Sequence, residues 1–305
     1  VLKHRLNEFD VIHDNQSLCY ELLFFQKKIP LVTTIHHPIS KDLKFQLKST
    51  KSIFLKFLMI RWHSFLRMQI KVAKKLNSVI VVSKSSKQDI HDDFGLKKEA
   101  MKVILNGIDT EAFFPDENIK KIPFRIVTSA SSDVPLKGLD YLLEAFSEVI
   151  KIFPDSTLQI IGSSKQGGHT SRKINDLNIK EKVQFNNDLS FKEVRDLYCS
   201  ADVVVIPSLY EGFGFAIGEA MACRVPVITT SGGAIPEVIE DCGILVSPGN
   251  SKELEEAMIK LLPDEEKKSF FAEKGFNRII EHLKWEKVAK LMTESYETEI
   301  NRTTN

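Results

Sequence analysis

Along the whole chain, short runs of β-branched and aliphatic residues alternate with longer stretches in which apolar positions recur every three to four residues. In the first half, Val11-Ile12-His13, Leu31–Ile35, Val79–Val82 and Lys102–Leu105 read as strands, and residues 16–27 and 51–77 read as helices. In the second half, strands are expected at Phe124–Thr128, Thr157–Ile161, Val183–Phe185, Val203–Ile206, Val225–Thr229 and Ile244–Val246. Helical patterns lie at 138–152, 190–200, 216–223, 234–240 and 251–262. Apolar strands separated by helix-length crossovers imply parallel sheets built from βαβ units. All-β and helical-bundle folds do not produce this alternation. A last amphipathic stretch, Trp285–Ile300, carries apolar residues at 285, 288, 289, 292 and 296, a helix face that must pack on something.

With 305 residues the chain can build two α/β domains, each with its own core. The boundary is expected within Asp109–Pro123, which follows Asn106-Gly107, holds two prolines and mixes charges of both signs. This predicts a first domain over 1–121 and a second over 122–286, with the helix 287–305 packing back on the first. The longest apolar runs, Val79–Val82 and Val203–Ile206, are strand-length, far short of the ~20 residues that span a bilayer. Cys19, Cys199, Cys223 and Cys242 form no CxxC pair, so reduced, non-ligating thiols in a cytoplasmic protein are expected. The sequence opens at Val1 rather than at methionine, and an upstream segment of the first domain is expected.

Charge divides the chain more sharply than composition does. Residues 1–121 hold 21 Lys/Arg and 13 Asp/Glu, a net +8, whereas the remainder holds 21 and 28, a net −7. Within 41–77 ten Lys/Arg face the single acid Asp42. The aromatic, basic run Ser52–Arg67 reads either as a packed helix with snorkelling cations or as an interfacial helix that associates the protein with an anionic membrane. Nucleic acid is the weaker match.

The chemistry concentrates in Val203-Val-Val-Ile-Pro-Ser-Leu-Tyr-Glu-Gly-Phe-Gly-Phe-Ala-Ile-Gly-Glu-Ala-Met-Ala. A buried strand ends at Pro207, a glycine-rich loop follows, and a helix begins near Ala216. In open α/β sheets, ligands bind at such carboxyl ends of strands. Gly212 and Gly214 let backbone N–H groups approach a ligand, and the helix N-terminus adds donors that suit phosphate. Glu211 and Glu219 flank the turn; a carboxylate beside a phosphate site is suited to the vicinal hydroxyls of a ribose or sugar.

These residues resemble the retaining glycosyltransferase family 4 of the GT-B fold, two Rossmann-like doubly wound parallel-sheet domains facing across a cleft. Glu211 and Glu219 match its E-x7-E signature within P-S-x-x-E-G-F-G and E-A-M-A. Pro226-Val-Ile-Thr-Thr-Ser-Gly-Gly-Ala-Ile-Pro-Glu, Gly243-Ile-Leu-Val-Ser-Pro-Gly, Val81-Val-Ser-Lys-Ser and Asn106-Gly-Ile-Asp follow the family's order. The resemblance implies a transferase acting on a UDP- or GDP-type sugar and a glycan or lipid-linked acceptor, in cell-envelope polysaccharide or glycolipid synthesis. It implies no cofactor and no metal; no Asp-x-Asp motif occurs.

By the same resemblance, Glu219 binds the nucleotide ribose and Glu211 stands beside the donor sugar. Backbone groups near Gly212, Phe213, Gly214 and Phe215 hold the diphosphate or sugar hydroxyls. Lys137, in Pro135-Leu-Lys-Gly-Leu, neutralises the departing diphosphate. The family's second phosphate clamp, an arginine six residues earlier, is Ser131 here; losing a charged hydrogen bond costs ~1.5–3 kcal/mol, and either another cation, Lys165 or Arg172, or hydroxyls and backbone groups take its place. His36, followed by His37 and a proline, matches a histidine that contacts the donor sugar, and His13 and Asp14 are candidate acceptor-side residues. The family's glycine-rich loop after its first strand is absent. A non-catalytic scaffold that binds nucleotide sugar is the alternative reading, ahead of a GT-B epimerase.

Overall fold

A computed structural model of the chain describes residues 5–163 and 165–304. Val1, on which the expectation of an upstream segment rests, lies outside the described residues. Two compact units form: Val1–Asn106 with Glu286–Asn305, and Gly107–Trp285.

The first unit is built on a parallel sheet in the order β1-β2-β3-β4, with β1 Ile12–Asn15, β2 Leu31–Ile35, β3 Val79–Val81 and β4 Met101–Val103. Register pairs His13 with Val32 and Asp14 with Thr33. Every residue of β2 is buried, as a central parallel strand covered on both faces requires. Leu22, Leu31, Ile35, Ile90 and Phe94 fill one face. On the other, Val32, Ile80 and Ile104 meet Val288, with Met292 and Tyr296 packed alongside. Of the apolar positions expected to pack in the last helix (Trp285–Thr304), Val288, Met292 and Tyr296 do so, whereas Trp285 and Ala289 are exposed.

The single helix expected over 51–77 is instead two helices, Ile53–Trp62 and Leu66–Ala73, joined by the tight turn His63–Phe65. No proline or glycine causes the break. The His63 ring lies 2.8 Å from the Met59 carbonyl, and the two halves meet different surroundings. Leu66, Gln69, Val72 and Ala73 are buried, whereas no residue of Ile53–Trp62 is. Two helices went unpredicted here: Ile39–Ser49, and Lys84–Phe94, which is capped by Ser83 and closed by left-handed Gly95 (φ 69°).

In the second unit all six strands are parallel, in the order β10-β9-β8-β5-β6-β7. They are β5 Arg125–Ser129, β6 Thr157–Ile161, β7 Val183–Asn186, β8 Val203–Ile206, β9 Val227–Thr230 and β10 Ile244–Val246. The chain lays β6 and β7 to one side of β5 and then returns to lay β8, β9 and β10 on the other. Strand order therefore reverses between β5 and β8, and the crevice beyond their carboxyl ends is the natural ligand site. Leu142, Leu143, Phe146, Val203, Val205 and Met258 are wholly buried in the core beneath.

The units divide at Asn106–Gly107, not at 121–122. Residues 109–121 are not a linker but packed structure. The Phe113 ring lies 6.1 Å from Phe191 and 6.3 Å from Tyr198, and the Arg195 guanidinium stands 4.4 Å from the Phe114 ring. Ile122 N–H donates to the Ser200 carbonyl at 2.9 Å. All four cysteines are free thiols, three of them buried. Among the described residues, no helix is long and apolar enough to cross a membrane.

Candidate functional site

Three loops converge at the carboxyl ends of β5, β8 and β9. The first turns through Pro135–Lys137 into the helix Leu139–Ile152, pivoting on Gly138 with φ 64°. A side chain at 138 would collide with the Pro207 carbonyl, so only glycine permits this approach to the loop after β8. Leu209 N–H then donates to the Leu136 carbonyl at 2.8 Å. The loop after β9 is pinned similarly: Ala234 N–H donates to the Glu211 carbonyl at 2.8 Å, and left-handed Gly233 lies against the Glu211 backbone.

Residues 74 positions apart in sequence are thereby joined: Lys137 Nζ donates to Glu211 Oε1 at 2.8 Å. Ser208 Oγ donates to the same oxygen at 2.7 Å, and Ser208 is itself wholly buried. The Thr230 hydroxyl donates to the Ser208 carbonyl, which ties β9 into the arrangement. The Lys137 side chain keeps 39% of its surface exposed, so its ammonium can still meet a ligand.

Glu219 sits on the helix Phe215–Ala222, which begins at Gly214 in the left-handed region (φ 105°) with no side-chain cap. The Ile217 and Gly218 N–H groups donate to the Gly214 carbonyl, which leaves those of Phe215 and Ala216 to meet an anion. Phe213 is buried and Phe215 half-exposed, with ring centroids 5.0 Å apart. Burial pushes the Glu219 carboxyl up to about 7, and the Tyr198 hydroxyl, 3.5 Å from Oε2, opposes that rise. Tyr198 is fully buried, and its own ionisation is driven well above the ordinary range by burial and then by Glu219.

Ser131 is exposed in the loop after β5. Of its two candidate substitutes, Lys165 belongs to a segment tied to that loop, since Lys165 N–H donates to Ser132 Oγ at 3.0 Å. The exposed Arg172 lies on the helix His169–Asp176.

In the first unit, the histidine-bearing segments cluster at the ends of β1 and β2. His13 Nε2 lies 2.8 Å from Thr34 Oγ1, and its Nδ1 lies 3.0 Å from the Tyr296 hydroxyl of the last helix. His36 Nε2 lies 2.6 Å from Asn15 Oδ1, while its N–H donates to Gln16 Oε1 at 2.6 Å. Gln16 also donates to the His37 carbonyl at 2.9 Å. Burial lowers the pKa of both rings; for His36 the neighbouring His37 and His13 add to that, so both are predominantly neutral at pH 7. Asp14 is buried and accepts from Ser17, leaving Oδ2 without a partner among the described residues.

Sequence reasoning named Lys137, Glu211 and Glu219 but missed Tyr198, Ser208 and Thr230. Ser208 stood in the quoted motif as the serine three residues before Glu211. Tyr198 gave no signal beyond an apolar position on an amphipathic helix.

The model of the family described as Glycosyl transferases group 1 matches residues 109–278, and that of Glycosyltransferase Family 4 matches residues 1–112. An MMP alpha-(1->4)-mannosyltransferase from Mycolicibacterium hassiacum is 37% identical over 306 residues, 99% of this chain and 74% of its own length. A GDP-mannose-dependent monoacylated alpha-(1-6)-phosphatidylinositol monomannoside mannosyltransferase from Corynebacterium glutamicum is 27% identical, over 75% of this chain and 64% of its own. The crystal structure of Anabaena Alr3699/HepE in complex with UDP matches with a TM-score of 0.78 at 21% identity, covering 97% of this chain and 80% of that one. At that identity the likeness is one of fold, and the fold is GT-B.

Proposed function

The chain belongs to the Glycosyl transferases group 1 family, and from that premise we propose that it transfers a hexosyl residue from a nucleoside diphosphate sugar to a glycan or lipid-linked acceptor, with retention. The observation that carries this reading is the Lys137–Glu211 pair at the point where strand order reverses, beside an uncapped helix N-terminus. A diphosphate there meets backbone N–H groups and a lysine ammonium together. The relatives form α-mannosidic links, one from GDP-mannose, so a mannosyl donor is the first to test.

In the reaction, the bond from the sugar's anomeric carbon to the diphosphate oxygen breaks, and the departing oxygen keeps the electron pair. The acceptor hydroxyl forms the new bond on the same face, and its proton passes to the departing phosphate. Lys137 neutralises the charge that accumulates on the leaving group, a side-chain cation in the place a metal ion takes elsewhere. Glu211 positions Lys137 until the donor arrives and then faces the sugar, while Glu219 accepts the ribose hydroxyls. Lys165 is the proposed partner for the phosphate that Ser131 cannot pair. His36, in its neutral form, is assigned to sugar contact rather than to proton abstraction. His13, Asp14 and His37 are assigned to the acceptor side.

One observation favours a second reading: Ser131 stands where an arginine clamp is expected, which suits a scaffold that binds nucleotide sugar without turning it over. A panel of UDP- and GDP-sugars incubated with acceptor mixtures, with products read by mass spectrometry, separates the two. Transfer that disappears in Lys137→Ala supports the enzyme; donor binding without transfer or hydrolysis supports the scaffold.

A further inference from the structure

The helix Ile53–Trp62 is inside out. At 100° per residue, Lys56 and Met59 fall on one side, and these are its half-buried positions. The opposite side carries Ile53, Phe54, Phe57, Leu58 and Trp62 around Arg61, and Leu55 and Ile60 flank the half-buried pair; all seven apolar residues are exposed, with Ile53 at 85%, Phe54 at 69% and Trp62 at 79%. A helix so apolar normally lies in a core. This one buries none of its residues.

Its surroundings are cationic. Lys41 and Lys44 of the preceding helix pair with Asp89 and Asp93. Lys48, Lys51, Arg61, Arg67 and Lys71 are exposed around the apolar face, and the whole stretch 41–77 contains one acidic residue. At its C-terminal end the helix borders a groove of about 630 Å³ lined by Gln46, Leu58, Met59, Arg61, Trp62 and His63. That lining joins an apolar wall to a guanidinium, the pairing that an anionic headgroup and its acyl chain require. Ten residues span only ~15 Å, half the hydrocarbon core of a bilayer, so the helix can lie in an interface but not cross it.

We propose that Ile53–Trp62 is an interfacial helix that docks the first unit on an anionic phospholipid bilayer. Phenylalanine and leucine side chains enter the acyl boundary, Trp62 sits at headgroup depth, and the flanking lysines and arginines meet lipid phosphate. Charge complementarity selects this occupant: a second copy of the chain would bring the same cations against one another. The inference is independent of the transferase reading.

Sedimentation of the chain with phosphatidylglycerol-containing vesicles tests it, with pure phosphatidylcholine vesicles as the reference. Binding to the anionic vesicles should weaken at high salt and exceed binding to the neutral ones. Phe54→Ser combined with Phe57→Ser should lower partitioning on the order of a hundredfold without lowering the melting temperature, because both side chains are exposed. Lys48→Ala with Lys51→Ala should cost about fivefold per cation. Trp62 is one of two tryptophans, and vesicle binding should blue-shift its emission; Trp62→Phe should lose that shift while still sedimenting. Equal binding to neutral vesicles, no binding, or unchanged partitioning in the double serine variant overturns the proposal. So does a concentration-dependent dimer that the same variant abolishes, which would assign the face to a second copy.

Discussion

Replacing Glu219 by glutamine should make the chain more stable and a poorer binder, and the two effects must appear together. The carboxyl ionises near 7 in the folded chain because it is buried, against an ordinary value of 4.5. Below about pH 4.5 it is protonated in both folded and unfolded states and contributes nothing to stability. Between 4.5 and 7 the unfolded chain gives up the proton while the folded chain retains it, so stability falls as pH rises, then levels off above 7. Two and a half pH units at ~1.4 kcal/mol each set an upper bound of roughly 3.5 kcal/mol, and partial exposure brings the expected penalty to ~1–3 kcal/mol. Glu219→Gln removes this penalty. Urea unfolding at pH 8 should show a gain of that order, and at pH 4 almost none. Nucleotide affinity should move the other way, falling about ten- to a hundredfold, as a charge-assisted acceptor becomes a neutral one. Wild-type affinity should rise through pH 7, and the variant's should not. A variant no more stable than wild type at pH 8, or one that binds nucleotide as well, refutes the assignment of Glu219 as a buried carboxylate held for ribose.

Lys137→Ala should lower kcat for transfer by ~10²–10³ under saturating donor, measured by initial rates, because its charge matters most as the leaving group departs. Gly138→Ala should destabilise the second unit by roughly 2 kcal/mol or more in chemical denaturation, since φ 64° and the Pro207 carbonyl both exclude a Cβ. Lys165→Ala should weaken donor affinity about five- to tenfold by calorimetry, and Arg172→Ala should leave it nearly unchanged. His36→Ala should reduce transfer without altering nucleotide affinity, and its rate loss should be uniform between pH 7 and 9, where the ring is already neutral.

The loop 207–219 was legible because proline and glycine mark it, and because two carboxylates beside a helix start have few purposes. The strands were legible wherever burial on both faces makes them continuously apolar, as in Val203–Ile206. The pairing of Lys137 with Glu211 was not, because it depends on β5 and β8 being neighbours, and strand order leaves no trace in local hydrophobic pattern. Tyr198 was hidden for a related reason: a helix records that a position is apolar but not which carboxylate lies beyond it. The segment Asp109–Pro123 read as a domain boundary from its prolines and charges, yet Phe113 and Phe114 anchor it to the second unit through contacts made far away in sequence. The helix Ile53–Trp62 shows the limit of periodicity, since the apolar side it displays faces solvent.

The most direct test is to titrate the intact chain with UDP and GDP, each against its nucleoside, by calorimetry, and to repeat the titration with Lys137→Ala. Tight binding of one diphosphate, far weaker binding of its nucleoside, and a loss of at least tenfold in the variant are expected. Diphosphate binding no tighter than nucleoside binding, or unaffected by the substitution, would contradict the placement of the donor at the junction of β5 and β8.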